Sequence, residues 1–330
     1  MNLHVTSATA AITTVLAFSP GVCAQVLSSG SGQAWPVKPV RIVMPFAPGG
    51  GADFMGRLFA KRFTETLGQT FVAENRPGAG GLIGAEIVAH AAPDGYTILV
   101  TTASLSVNVN LHKKLAFDPI RDLAPVSLLT SVPLMLIVHP SVPARTPQEL
   151  VALAKKRPGS MNAGTNGAGT TSHLAIEMLK QATGISVTHI HYKGGGPAQI
   201  GMLSGEVDFR FTSVLTGIPH VRDGRTRALA VTTPKRSSIL PQLPTLSSIY
   251  PGVECDQWYA MFMTAGVPKE ILARVHGETV KGLALPEVRN FLIQDGAEPV
   301  GSTPEELAAF FRREVAKYAK IIAFAKIQAD

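Results

Sequence analysis

One pattern constrains this chain more than any other. A short β-branched run, a glycine-rich turn and a segment of helical apolar spacing recur along it. Val40 to Phe46 is the first such run. It breaks at Pro48-Gly49-Gly50-Gly51, after which Met55, Leu58, Phe59 and Phe63 fall at helical spacing. Thr70 to Ala73, the turn from Asn75 to Gly81 and a helix through Ala91 repeat the unit, and Tyr96 to Val100 leads into Thr101-Thr102-Ala103-Ser104. Strands alternating with helices predict an α/β fold with a doubly wound parallel sheet, in which small molecules gather at the carboxyl ends of the strands.

The length of 330 residues exceeds what one core usually holds, so two lobes are expected. Pro125 to Val138 is an apolar run long enough to cross from one lobe to the other. Beyond it the pattern restarts: helix Gln148 to Lys156, a strand near Met161, the loop Gly164 to Gly169, helix Thr171 to Gln181, strand Val187 to Tyr192, the loop Gly194-Gly195-Gly196 and strand Val207 to Phe211. Arg227 to Thr232 suits a return crossing. Lobe 1 is therefore expected over 35–130 and 231–330, with lobe 2, 131–230, inserted in it. The chain closes on an amphipathic helix that opens with Thr303-Pro304-Glu305-Glu306, a capping box with proline at the first helical position.

Ala8 to Phe18 is apolar, Ser19-Pro20-Gly21 follows, and then Val22-Cys23-Ala24, which has the layout of an export leader over 1–24 cleaved near Ala24. The Ser/Gly-rich stretch 25–34 reads as a flexible mature N-terminus, and a periplasmic location is expected. Cleavage there leaves Cys255 as the one cysteine, so neither a disulfide nor a cysteine-rich metal site is available, and the His spacing matches no metal motif. The net charge of +7 is scattered along the chain without an aromatic-basic platform, which argues against nucleic acid. No cofactor is implied.

The glycines let a ligand approach the backbone. Helix starts at Gly50 to Asp53 and at Thr170 to Ser172 would turn unpaired N–H groups toward an anion. About four hydrogen bonds to a charged group, at about 1.5–3 kcal/mol each, reach the roughly 8 kcal/mol of a micromolar complex. Asp53 fits as a cap or a water-ordering group. Arg210 either pairs with Asp208, two residues away on one strand, or reaches a second ligand carboxylate. His173 reads as a structural hydrogen-bonding residue. A hydrolase built on Ser104 or Ser172 with His173 lacks a Gly-x-Ser-x-Gly elbow, and neither glycine loop ends in the Gly-Lys-Ser/Thr of a phosphate loop.

Several ordered motifs resemble one family. They are Trp35-Pro36, Pro39-Val40-Arg41-Ile42-Val43, Pro45-Phe46 leading to Pro48-Gly49-Gly50 and Asp53, Glu74-Asn75-Arg76-Pro77-Gly78-Ala79-Gly80-Gly81 and Ala92-Pro93-Asp94-Gly95-Tyr96. Tyr192-Lys193-Gly194, Gly205-Glu206-Val207-Asp208, Arg227-Ala228-Leu229-Ala230-Val231 and Gly296-Ala297-Glu298-Pro299-Val300-Gly301-Ser302 follow. Their order resembles the Bug-type substrate-binding proteins of tripartite tricarboxylate transporters. The resemblance implies a two-lobed, type II periplasmic-binding-protein (Venus-flytrap) fold, monomeric and without catalysis. Such a protein holds a small carboxylate (a dicarboxylate, an aromatic acid or an acidic amino acid) for the membrane subunits of a transporter. A signalling role at a sensor-kinase ectodomain is the alternative. Carried over, the first-strand loop contributes Phe46, Gly50, Gly51 and Asp53. The opposite wall comprises Thr101, Thr102, Ala103 and Ser104, then Gly169, Thr170, Thr171, Ser172 and His173, then Asp208 with Thr212 and Ser213. The chain departs from the family pattern at Thr212-Ser213, where an acidic residue or Asn is expected, and at Arg210.

Overall fold

The computed structural model describes residues 35–325 apart from 113, 235, 237–239 and 295. The expected leader and the 25–34 stretch lie outside the described residues. The chain runs β1 (Val40–Met44), α1 (Gly51–Leu67), β2 (Phe71–Asn75), α2 (Leu82–Ala89), β3 (Thr97–Thr102), α3 (Ser104–Leu111) and β4 (Leu123–Val138). It continues with α4 (Pro147–Lys156), β5 (Asn162–Thr165), α5 (Thr171–Thr183), β6 (Thr188–His191), α6 (Gly195–Ser204), β7 (Phe209–Ser213), α7 (Val214–Arg222) and β8 (Arg227–Val231). Last come β9 (Asp256–Thr264), α8 (Lys269–Ala284), α9 (Pro286–Gln294), β10 (Glu298–Pro299) and α10 (Pro304–Ala325).

Local chemistry explains the first unit. Val40, Ile42, Val43 and Met44 are buried in β1, and α1 sets Met55, Phe59 and Phe63 on one fully buried face. Gly68 ends α1 in the left-handed conformation at φ 74°, which a residue without Cβ adopts cheaply. Phe63 meets Phe59 and Phe71, which joins helix to strand. Each such buried phenyl group contributes about 1.5–3 kcal/mol. The capping box of α10 forms as read: Thr303 N–H donates to Glu306 Oε2 at 2.9 Å, and Glu306 N–H donates to Thr303 Oγ1 at 3.2 Å.

The strands are ordered β2-β1-β3-β9-β4-β7-β5-β6, with β8 and β10 also on β4. β4 serves both halves. Its residues Leu123 to Pro133 pair with β9, and Leu134 to Val138 pair with β7. On either side lies a parallel trio, β2-β1-β3 and β7-β5-β6. The expectation of parallel sheets holds for these trios and fails at β9, antiparallel to β3, and at β4, antiparallel to β7 and β8. The reason is topological: each lobe's own strands end at the space between lobes, so a strand arriving from the other lobe starts there and runs the opposite way. Separate apolar clusters back the halves, one around Phe59, Phe63 and Met261 and another around Leu174, Leu179 and Phe209.

Candidate solute-binding cleft

The loops at the strand ends surround a narrow, partly open cavity of about 30 Å³. The turn after β1 contributes Phe46 and the α1 start, Gly50, Gly51 and Ala52. β3 and α3 contribute Thr102 and Ser104, and β9 brings Gln257 and Tyr259. From the other half come Leu134, Asn166, Gly195, Ser213 and Thr216. No Asp, Glu, Lys, Arg, His or Cys stands among these lining residues.

Helix starts dominate the walls. α1, α3, α6 and α7 begin at lining residues or next to them, and their N-cap residues Gly50, Ala103, Gly194 and Ser213 make no side-chain cap bond. Uncapped first turns carry unpaired N–H groups and the positive ends of the helix dipoles, so four of them turn partial positive charge toward the cavity. One of these amides is partly spoken for, since Ser104 N–H donates to Thr102 Oγ1 at 3.2 Å.

The two glycine turns touch. Ala47 N–H donates to Lys193 O at 2.8 Å. A Cβ on Gly196 would overlap Pro48 O, and one on Gly51 would overlap the Tyr259 hydroxyl. Only residues without side chains allow this approach. Deeper in, the fully buried Asn108 amide reaches Gly80 O at 3.1 Å, Ser104 O at 3.0 Å and Gly169 O at 3.0 Å, tying a turn of the first half to one of the second.

Six residues expected from sequence line the cavity: Phe46, Gly50, Gly51, Thr102, Ser104 and Ser213. The others sit behind it. Asp53 accepts from Gly49 N–H at 3.0 Å, Arg57 Nε at 2.9 Å and Asn75 Nδ2 at 2.9 Å, and Asn75 also donates to Phe46 O at 2.9 Å. Burial alone would raise the Asp53 carboxyl, but these three donors outweigh it and hold it below its ordinary value. Thr101 and Ala103 are buried beneath the wall.

The segment Gly169 to His173 props up cavity residues without lining the cavity. Thr171 Oγ1 donates to Gln257 Oε1 at 2.7 Å, Ser172 Oγ accepts from Asn166 N–H at 2.8 Å, and Thr170 Oγ1 donates to Gly167 O at 2.7 Å. His173 Nδ1 accepts from Gly169 N–H at 3.2 Å. Thr212 Oγ1 lies 3.1 Å from Thr216 Oγ1.

Arg210 does not pair with Asp208. Asp208 sits at the entrance to β7 and spends Oδ2 on Asn162 N–H at 2.7 Å, while Arg210 points toward the strand ends. There its Nη2 donates to Asn166 Oδ1 at 2.7 Å, and its Nη1 lies 3.2 Å from Gln199 Oε1 and 3.5 Å from Gly195 O. The side chain is wholly buried, Nε has no hydrogen-bond partner among the described residues, and no salt bridge forms to it there. Burial pushes the guanidinium down to about 10, so it remains charged at neutral pH. An unpaired cation thus stands one residue behind the Asn166 and Gly195 wall.

Sequence reading missed Ala52, Leu134, Thr216, Gln257 and Tyr259 as lining residues, along with Asn166 and Gly195 inside loops it did identify. The signal for Gln257 and Tyr259 was present: the run from Gln257 to Thr264 is apolar and aromatic and reads as a strand.

A two-lobed α/β frame with helix starts facing a cavity between the lobes defines a solute-binding protein of the type II periplasmic class. Residues 55–327 match the family described as the tripartite tricarboxylate transporter family receptor, and the chain belongs to that family. Its members are solute-binding receptors rather than enzymes. The solved structure of the periplasmic binding protein BugD is 34% identical, with a TM-score of 0.86, covering 90% of this chain and 100% of BugD. The R. palustris protein Rpa4515 with adipate is 33% identical at a TM-score of 0.85, covering 89% and 99%. MatC from Rhodopseudomonas palustris with bound malate is 30% identical at 0.83, covering 87% and 100%. Among the described residues no helix is long and apolar enough to cross a membrane.

Proposed function

We propose that this chain captures a small dicarboxylate between its lobes in the periplasm and hands it to the membrane subunits of a tripartite transporter, as a monomer without catalytic activity. The observation that carries this reading is the convergence of four uncapped helix starts on one cavity free of acidic side chains. One carboxylate fits the α1 turn at Gly50 to Ala52. The buried Arg210 behind Asn166 and Gly195 supplies the field for a second. The adipate and malate held by the two R. palustris neighbours are both dicarboxylates.

Against catalysis stands the composition of the cavity wall, which offers no imidazole, thiol or carboxylate as a general base. Ser172 Oγ accepts from Asn166 N–H, and His173 Nδ1 accepts from Gly169 N–H rather than from a serine hydroxyl. We set the lobe boundaries at 130/131 and 230/231; the change of partner within β4 at Pro133-Leu134 and the pairing of β8 to its second part support this division. A cleaved leader over 1–24 would account for export.

Thermal shift and calorimetry with C4 to C6 dicarboxylates, the matching monocarboxylates and neutral sugars test the reading. Dicarboxylates are expected to raise Tm, by mass action on the native state, more than monocarboxylates do. Stabilisation by sugars or by cations alone would overturn it.

A further inference from the structure

Away from the cleft, α5 and the edge strand β6 bring three imidazoles together. His189 and His191 lie two apart on one face of β6, and His173 and Glu177 lie one turn apart on α5. One ring nitrogen from each of the three histidines falls within 4.8 Å of the others. The His189 and His191 rings are stacked at 5.6 Å, and the His173 ring stands edge-on to both, at 4.9 Å and 5.1 Å.

Each ring is gripped from outside the cluster. His189 Nε2 is 2.6 Å from Glu177 Oε1, His191 Nδ1 is 2.7 Å from Thr165 Oγ1, and His173 Nδ1 accepts from Gly169 N–H. An outer carboxylate that accepts a hydrogen bond from the N–H of one ring nitrogen fixes the tautomer and leaves the lone pair on the other, which is how metal-binding imidazoles are oriented. For His189 that other nitrogen, Nδ1, is buried and has no hydrogen-bond partner among the described residues. Leaving a buried acceptor unpaired is costly, so its retention points to an occupant.

We propose that His173, His189 and His191 form a site for a divalent transition metal such as Zn²⁺ or Ni²⁺. Three imidazoles suit these ions and not Mg²⁺ or Ca²⁺, which take oxygen donors. His191 is exposed, which gives the ion a way in and leaves room for water as a further ligand. Lys180 sits 2.6 Å from Glu177 Oε1 and 3.4 Å from His189 Nε2, so the carboxylate's charge is already offset and adds little to the attraction for a cation. Ligation through His173 Nε2 moves that ring's proton to Nδ1, where it meets Gly169 N–H. The Gly169 bond is lost as the metal enters.

The test is equilibrium dialysis of tag-free protein against Zn²⁺ or Ni²⁺ alone, with Mg²⁺ as control and no organic solute present, so that the outcome is independent of the solute reading. One equivalent of Zn²⁺ or Ni²⁺ per chain is expected. His191→Ala and His189→Ala should each weaken binding tenfold or more, and Zn²⁺ should speed exchange of the Gly169 amide in wild type. Because His191 is exposed, its replacement leaves the fold intact and stands even if His189→Ala misfolds. Failure to bind at 100 µM metal, or undiminished binding by His191→Ala, would overturn the proposal.

Discussion

Gly50 and Gly195 face each other backbone to backbone: a Cβ on Gly50 would stand 3.3 Å from the Gly195 nitrogen. Both line the cavity, one from each half of the molecule. Their contact is therefore part of the cleft's closed geometry, and side chains at these positions act on closure and on solute affinity together.

Gly50→Ala is expected to preserve the fold and weaken solute binding about tenfold by calorimetry, since a 3.3 Å contact forces the turns apart by only a few tenths of an ångström. Gly51→Ala has no such latitude, because its methyl meets the buried Tyr259 hydroxyl, itself 3.3 Å from Ser213 Oγ. Overpacking of this kind costs about 1–3 kcal/mol. A lowered melting temperature together with lost binding is the expected result, and wild-type values for both would contradict the contact.

Arg210→Met removes a buried charge that has no carboxylate partner. Burying a lone ion is costly, so the solute-free variant should melt at or above the wild-type temperature. Dicarboxylate affinity should nevertheless fall tenfold or more, because both the field behind the wall and the bond that orients Asn166 disappear. Equal losses for monocarboxylates and dicarboxylates would deny Arg210 a role in recognising the second carboxyl group.

Asp53 links the binding turn to pH. Its carboxyl is held below the ordinary value, so its contribution to stability is complete above the unfolded value of about 3.9 and fades as pH falls through the folded one. Asp53→Asn should therefore be less stable than wild type at pH 7 in urea melts, with the difference shrinking below about pH 4. A constant difference from pH 3 to pH 7 would show that charge is not involved.

Cys255 is buried, and burial pushes its thiol up to about 12. In a protein whose Cys23 is absent or replaced, a thiol-specific reagent should label nothing in buffer and one group per chain in urea. Labelling of the native protein at comparable rates would contradict the packing around Tyr318 and Thr171.

Much of this architecture is legible in residue order because the alternation of β-branched runs and glycine turns is local information. The first turn, with Phe46, Gly50 and Gly51, was accessible for that reason. Other features depend on contacts distant in sequence. Gln257 lines the cavity with its Oε1 held by Thr171, 86 residues away. The helix α6 begins within Gly194-Gly195-Gly196, where composition alone signals a turn, yet proline in a first turn is compatible with a helix. Likewise α7 carries Pro219 inside it, which hides a helix from sequence pattern alone. Arg210 shows the limit most clearly: a neighbour two residues off looked like its partner, and the fold sent the two side chains to opposite ends of the strand.

The change of partners along β4 falls at Pro133-Leu134, where proline has no N–H to give to a ladder. Thr232 knots the two passages of the chain there: its N–H donates to Leu134 O at 3.0 Å, and its hydroxyl lies 2.5 Å from Cys255 O and 3.2 Å from both Leu134 O and Leu134 N. A single uncut ribbon joining both sheets cannot swing like a door on a loose strap. A change in the relative orientation of the two halves would have to be taken up by backbone rotation near Pro133-Leu134 and along the second passage that Thr232 ties to it, rather than by a slack linker.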